Sequence, residues 1–180
     1  MKTKATTSFK KYIIWFWAIV LGGLLFFVGL FFVLLFKPEN KEDKLIVRKA
    51  LNNNVVILKL FPGITEEVVR SITQIEGLRG IVVETYGSGN APSYPWFINL
   101  LEHAIKSGIQ IVVVTQCVGG SIILGHYETS VDLKRIGVIN GKDITTESAI
   151  AKLMYLLGEE ITQKEFKKMF EKPLRGELDF

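Results

Sequence analysis

Asn90 sits in the segment Glu84-Thr85-Tyr86-Gly87-Ser88-Gly89-Asn90-Ala91-Pro92, where one short side chain offers both a donor and an acceptor. Gly87 and Gly89 beside it let the backbone approach a neighbour closely. That combination suits the binding of a small polar amide or carboxylate, and it equally suits a plain tight connection from a strand to a helix. The segment is not a nucleophile elbow, because Tyr86 stands where Gly-x-Ser-x-Gly needs its first glycine. It is also neither a P-loop nor a dinucleotide fingerprint, lacking Gly-Lys-Ser/Thr and a third glycine. A second polar loop, Thr115-Gln116-Cys117-Val118-Gly119-Gly120-Ser121, carries the sole cysteine. Nothing in the spacing brings Cys117 to His126, so a buried, inert thiol is expected. His103 falls on an expected helix, and neither histidine has the spacing of a metal site or a catalytic triad.

Both loops follow short apolar runs that must be strands. Val55 to Leu60 is too brief for a helix and is closed by Pro62-Gly63. Ile81-Val82-Val83 and Ile109 to Val114 are likewise continuous rather than alternating. Between them lie helices. Thr65 is placed to cap one with Glu66 and Glu67 in its first turn and Val68, Val69, Ile72 and Ile75 as its core stripe. Another runs from about Pro95 to Ser107, with Phe97, Leu101 and Ile105 on one face and Gly108 ending it. Two more follow: Thr146 to Leu157, with Ala149, Ile150, Leu153, Met154 and Leu157 facing inward, and one opened by the capping box Thr162-x-x-Glu165. Buried strands alternating with amphipathic helices predict an α/β fold: a small three-layer, Rossmann- or flavodoxin-like domain with a short parallel sheet. Ligands of such a sheet bind beyond the carboxyl ends of its strands, where both polar loops lie.

The first part of the chain is different. Residues 13 to 36, IIWFWAIVLGGLLFFVGLFFVLLF, hold no charged or amide side chain over 24 positions. As a helix they would rise about 36 Å, enough to cross a hydrocarbon core of about 30 Å. A signal peptide is the alternative, but its apolar region is shorter and ends in a small-residue cleavage site, which Leu34-Leu35-Phe36-Lys37-Pro38 does not offer. The expected organisation is a basic tail (1–12), a transmembrane helix (13–36), a charged linker (37–51) and the α/β domain (52–180). Orientation stays open: Lys2, Lys4, Lys10 and Lys11 flank one end, and Lys37, Lys41, Lys44, Arg48 and Lys49 the other. A single-pass membrane location is expected, with the side of the domain unassigned.

Of 22 basic residues, removing the four tail lysines leaves 18 against 18 acidic ones. The basic balance therefore belongs to the tail, and a nucleic-acid partner is not expected. One cysteine excludes a fold stapled by internal disulfides.

Four blocks in order, Asn52 to Ile64 (NNNVVILKLFPGI), Glu84 to Pro92, Thr115-Gln116-Cys117 and Leu174-Arg175-Gly176-Glu177-Leu178, strongly resemble the C-terminal domain of type I, cytosolic-type L-asparaginases. The resemblance covers roughly residues 52 to 178. It implies an amidohydrolase that turns L-asparagine into aspartate and ammonia with a threonine nucleophile, without metal or organic cofactor, as a homo-oligomer with active sites between subunits. In that family the nucleophile lies in a Thr-Gly-Gly-Thr segment, with a Thr-Asp pair and a lysine, in an N-terminal domain. Here the Gly-Gly pairs are Gly22-Gly23 and Gly119-Gly120, and no Thr-Asp pair occurs, so no catalytic residue is assigned.

Carried over by position, Asn90 matches the asparagine that reaches into a neighbouring subunit's substrate site. Cys117 matches a cysteine of the effector-asparagine pocket, and Glu84 stands where some bacterial members carry an arginine there. Tyr127 and Glu128 fall in a segment that approaches the neighbour's active site. Separately, Phe9 to Trp17 (FKKYIIWFW) resembles the N-terminal anchor of bifunctional penicillin-binding proteins from Bacteroidetes, which places the following domain outside. The expectation is a domain that gives substrate, effector and interface contacts but does not hydrolyse alone, its nucleophile, general acid or base and oxyanion donors coming from another chain. L-asparagine or L-aspartate is the expected ligand, and a missing N-terminal domain or self-association the expected partner. The alternative is a membrane-tethered module that binds small amino acids or a protein partner.

Overall fold

The computed structural model describes residues 4–35, 47, 50–125, 128–159 and 161–179, without the side chains of 4–11, 13, 14, 18, 29, 32–35, 128 and 129. The chain divides into two compact units, Met1–Val47 and Arg48–Phe180.

The first unit contains one helix, α1 (Lys4–Leu35), of 32 residues. Its described side chains, from Tyr12 to Phe31, are exposed, and their longest uninterrupted run is 19–28. Among the described residues no helix is long and apolar enough to cross a membrane. The spanning reading of 13–36 therefore rests on sequence. Apart from Val47, Ala50 and Leu51, the charged linker lies outside the described residues.

The second unit runs β1 (Val55–Lys59), α2 (Glu66–Thr73), β2 (Gly80–Thr85), α3 (Pro95–Lys106), β3 (Gln110–Thr115), α4 (Glu128–Ile136), β4 (Ile139–Asn140), α5 (Thr146–Leu157) and α6 (Gln163–Phe170). The four strands pair in parallel in the order β1-β2-β3-β4. Leu58 stands beside Val83, and Val83 beside Val113. Both faces of β2 and β3 are covered, which is why these strands read as continuous valine and isoleucine. Ile81, Val83, Ile111 and Val113 pack with Phe97, Leu101 and Leu133 from α3 and α4. Val82, Val112 and Val114 pack on the other face with Leu153, Leu156 and Phe170 from α5 and α6. Each such side chain stabilises the fold by about 1.5–3 kcal/mol relative to exposure.

Five expectations change. The strand order never reverses, so the three-layer class holds without the switch-point crevice of a Rossmann or flavodoxin sheet. A fourth strand and the helix before it, α4, join the expected elements. Thr65 occupies the cap position in an extended conformation, but its side chain makes no cap hydrogen bond. The backbone amide of Glu67 and the Thr65 hydroxyl instead hold the Glu67 carboxyl below its ordinary range. Val68 and Ile75, expected in the core, are exposed: α2 buries a narrow stripe centred on Val69, and it ends at Thr73, before Ile75. On α5, Leu156 and Lys152 are buried, while Ile150, Met154 and Leu157 are half-buried.

Candidate functional site

The carboxyl ends of β1, β2 and β3 are drawn together by the two residues at which β3 ends. The Gln116 carboxamide donates to the carbonyls of Leu60, at 2.7 Å, and Glu84, at 2.9 Å. Both partners are acceptors, so the NH2 group must face them. The Gln116 amide also donates to Thr85 O at 3.1 Å. Thr115 faces the neighbouring loop: its hydroxyl donates to Gly87 O at 2.6 Å and accepts from the Cys117 amide at 3.0 Å.

These contacts support the turn that carries Asn90. Tyr86 and Asn90 form an isolated antiparallel bridge, with Tyr86 N donating to Asn90 O at 2.9 Å and Asn90 N to Tyr86 O at 2.8 Å. Reversal within so few residues requires left-handed backbone, which Gly87 (φ 45°) and Gly89 (φ 112°) adopt at little cost. A Cβ at Gly89 would come within 3.3 Å of Ile122 Cγ2, so a side chain there is strained and crowded. The Ile123 amide donates to Ser88 O at 2.9 Å, fixing the turn on a second side. Asn90 is half-buried at the end of this turn.

Glu84, also half-buried, points its carboxylate toward α5. One oxygen accepts from Thr146 Oγ1 at 2.7 Å, and the other lies 3.0 Å from Lys59 Nζ. Burial works to raise its pKa, but the hydrogen bonds from Thr146 and Lys59, with the lysine's charge, hold it below the ordinary value. It is therefore a committed acceptor, not a free acid. Cys117 is exposed, against the expectation of a buried thiol, because the loop after β3 turns outward: Gly119 adopts φ 68°, and Gly120 N returns to Cys117 O.

Glu84, Asn90 and Cys117 thus all lie at the carboxyl rim. Tyr127 and His126 lie outside the described residues, and Glu128 opens α4 with its side chain outside them. His103 is exposed on α3 at the amino end of the sheet, where it borders a concavity of about 350 Å³ with Gln74, Leu78, Leu100 and Ile109. That concavity lies at the opposite end of the sheet from Asn90 and brings together no acid, base and nucleophile, so the rim is the better candidate. Among the described residues no group of histidine, cysteine and carboxylate side chains could hold a metal ion. The rim can recognise a polar ligand; among its described residues there is no activated nucleophile.

Sequence reasoning missed Thr115 and Gln116 as supports of this site. Their signal was two polar residues directly after the apolar run Ile111 to Val114, where the ladder ends and backbone groups need other partners.

A model of the glutaminase/asparaginase C-terminal domain matches residues 54–170. The chain belongs to the glutaminase/asparaginase C-terminal domain family. It is 36% identical to L-asparaginase 1 of Escherichia coli over 137 residues, which is 76% of this chain and 40% of that protein. It is 37% identical to the 60 kDa lysophospholipase of Mus musculus over 138 residues, 76% of this chain and 24% of that protein. The crystal structure of L-asparaginase I from Vibrio cholerae superposes with a TM-score of 0.73 at 33% identity, covering 79% of this chain and 42% of that one. The asparaginase-family domain therefore spans less than half the length of the relatives it matches, and their whole-protein activities are not thereby its own.

Proposed function

We propose that this chain supplies the ligand-recognition half of an L-asparaginase-type amide hydrolase, from a domain tethered to a membrane by residues 13–36. Asn90 carries the proposal, presented at the exposed rim by a turn held on both sides. Its side chain binds L-asparagine or L-aspartate at a site completed by a threonine-nucleophile domain on another chain, in an assembly whose sites form between subunits. The chain alone does not hydrolyse. Support comes from the family match, the resemblance to type I asparaginases and the lack of an activated nucleophile among the described residues of the rim. The tether is supported by the 24 apolar residues of 13–36 and by the likeness of Phe9 to Trp17 to a penicillin-binding-protein anchor.

A second reading is favoured by the exposure of Cys117 on the same rim as Asn90: a tethered module that binds a small amino acid without any catalytic partner.

One experiment separates them. The full chain in detergent micelles is titrated with L-asparagine by calorimetry and assayed for ammonia, alone and mixed with a purified nucleophile domain of an L-asparaginase. The first reading expects ammonia only in the mixture and its loss in Asn90→Ala. Binding by the chain alone that is lost in Asn90→Ala, with no ammonia in the mixture, supports the second. Ammonia from the chain alone overturns both, as does a mixture that releases ammonia equally well with Asn90→Ala.

A further inference from the structure

We infer that Thr115 and Gln116 are positioning residues, which hold the Asn90 turn in the geometry a ligand meets. The inference deepens the proposed role of Asn90 and rests on it. Beyond Thr85 the sheet no longer sets the backbone, because β2 and β3 end together at Thr85 and Thr115. The turn lies past that point; the Ile123 amide holds it on one side through Ser88 O, and on the β3 side its placement depends on side chains. Thr115 is the direct support: its hydroxyl lies between Gly87 O and the Cys117 amide, so one oxygen fixes the turn after β2 to the loop after β3. Gln116 sets the base from which the turn departs, with both carboxamide protons spent on Leu60 O, just past β1, and Glu84 O, near the end of β2.

The two contributions are separable. Without the Thr115 hydroxyl, Gly87 O loses its donor and Cys117 N its acceptor, while the Tyr86–Asn90 bridge keeps its own hydrogen bonds. The turn then opens more often, but β2 and β3 retain their ladder and their buried faces. A carboxylate at position 116 has no proton to offer Leu60 O or Glu84 O and repels both. The strand ends then fray, and the turn moves with them.

The test is amide hydrogen exchange followed by mass spectrometry on the full chain in detergent. Thr115→Val keeps the side chain's shape and removes the hydroxyl; Thr115→Ser keeps the hydroxyl. Exchange over 86–91 is expected to accelerate about ten-fold in Thr115→Val and to return to the wild-type rate in Thr115→Ser, with exchange in 81–83 and 111–113 unchanged. Gln116→Glu is expected to accelerate exchange at Leu60 as well as in the turn, and it carries the test if the valine variant does not fold. Unchanged exchange over 86–91, or acceleration spread evenly through β2 and β3, overturns the inference. Because this readout needs no ligand, indifference of asparagine binding to Asn90→Ala would defeat the functional reading while leaving the exchange result to stand or fall separately.

Discussion

Two lysine–glutamate pairs join this domain's parts, and they differ mainly in whether water reaches the lysine. Lys59 and Glu84, at the rim, are 3.0 Å apart with side chains 66% and 12% exposed. Lys152 and Glu177 are 2.5 Å apart with side chains 3% and 14% exposed. The glutamates are covered almost equally. Lys59 keeps most of its hydration, so its pairing gains little over water. Lys152 has given hydration up, and the protein replaces it with Glu177, the carbonyl of Lys172 at 2.5 Å and the ring of Phe170, 5.1 Å from the ammonium. Glu177 also accepts from the amides of Leu174 and Arg175, which fastens the strap 172–178 over α5 and seats Leu178 in the core. The same two residue types make an adjustable trim at the rim and a structural clasp at the other pair.

The comparison breaks most directly at Lys152. Lys152→Met leaves the Glu177 carboxylate without its cation, and denaturant unfolding is expected to show a loss of roughly 3–5 kcal/mol, with the strap exchanging first. A loss below about 1 kcal/mol would mean the clasp is no stronger than the trim.

Acid tests the same contact. Burial would raise the Glu177 carboxyl, but Lys152 and the amides of Leu174, Arg175 and Glu177 itself bring it down to about 2. A carboxyl depressed in the folded state stabilises above its unfolded pKa of about 4.3, and that contribution fades as pH falls toward 2. Wild-type stability should therefore drop by about 3 kcal/mol between pH 5 and pH 2 through this group, and Glu177→Gln should flatten that part of the curve.

Thr162→Ala removes the capping box of α6, the helix that places Phe170 under the ammonium. A fall of about 1 kcal/mol is expected in the same unfolding measurement. Lys59→Met should cost about 1 kcal/mol or less, and any larger effect would show that Glu84 depends on its cation as Glu177 does.

Both helices of the clasp were legible in the sequence. The Thr162-x-x-Glu165 box forms as written, and α5 occupies the expected Thr146 to Leu157. Lys152 was not legible as a core residue, because a lysine on an amphipathic helix reads as solvated and its partner lies 25 residues away. α4 was missed for a related reason: its stripe is carried by Leu133 and Ile136, with Ser130 as a buried polar member, too sparse for periodicity to register. β4 pairs at only two positions, below what an apolar run can signal. At the rim, Asn90 and Cys117 lie in the loops expected after the strands, Glu84, read as the start of a loop, lies inside β2, and Cys117's exposure depends on the path of the loop after β3. Thr115 and Gln116 were read as part of a polar loop but not as its supports, because their partners are backbone groups, which sequence does not distinguish.

The unbroken strand order sets a timetable for synthesis. β1, β2, β3 and β4 leave the ribosome in the order in which they lie side by side, so each new strand finds its neighbour already made and no space must be held for a late arrival. The exception is the face under α5 and α6, where Val82, Val112 and Val114 stay uncovered until the last quarter of the domain emerges. The nascent domain is thus a half-clad sheet for much of its translation, a transient client for chaperones until the strap closes.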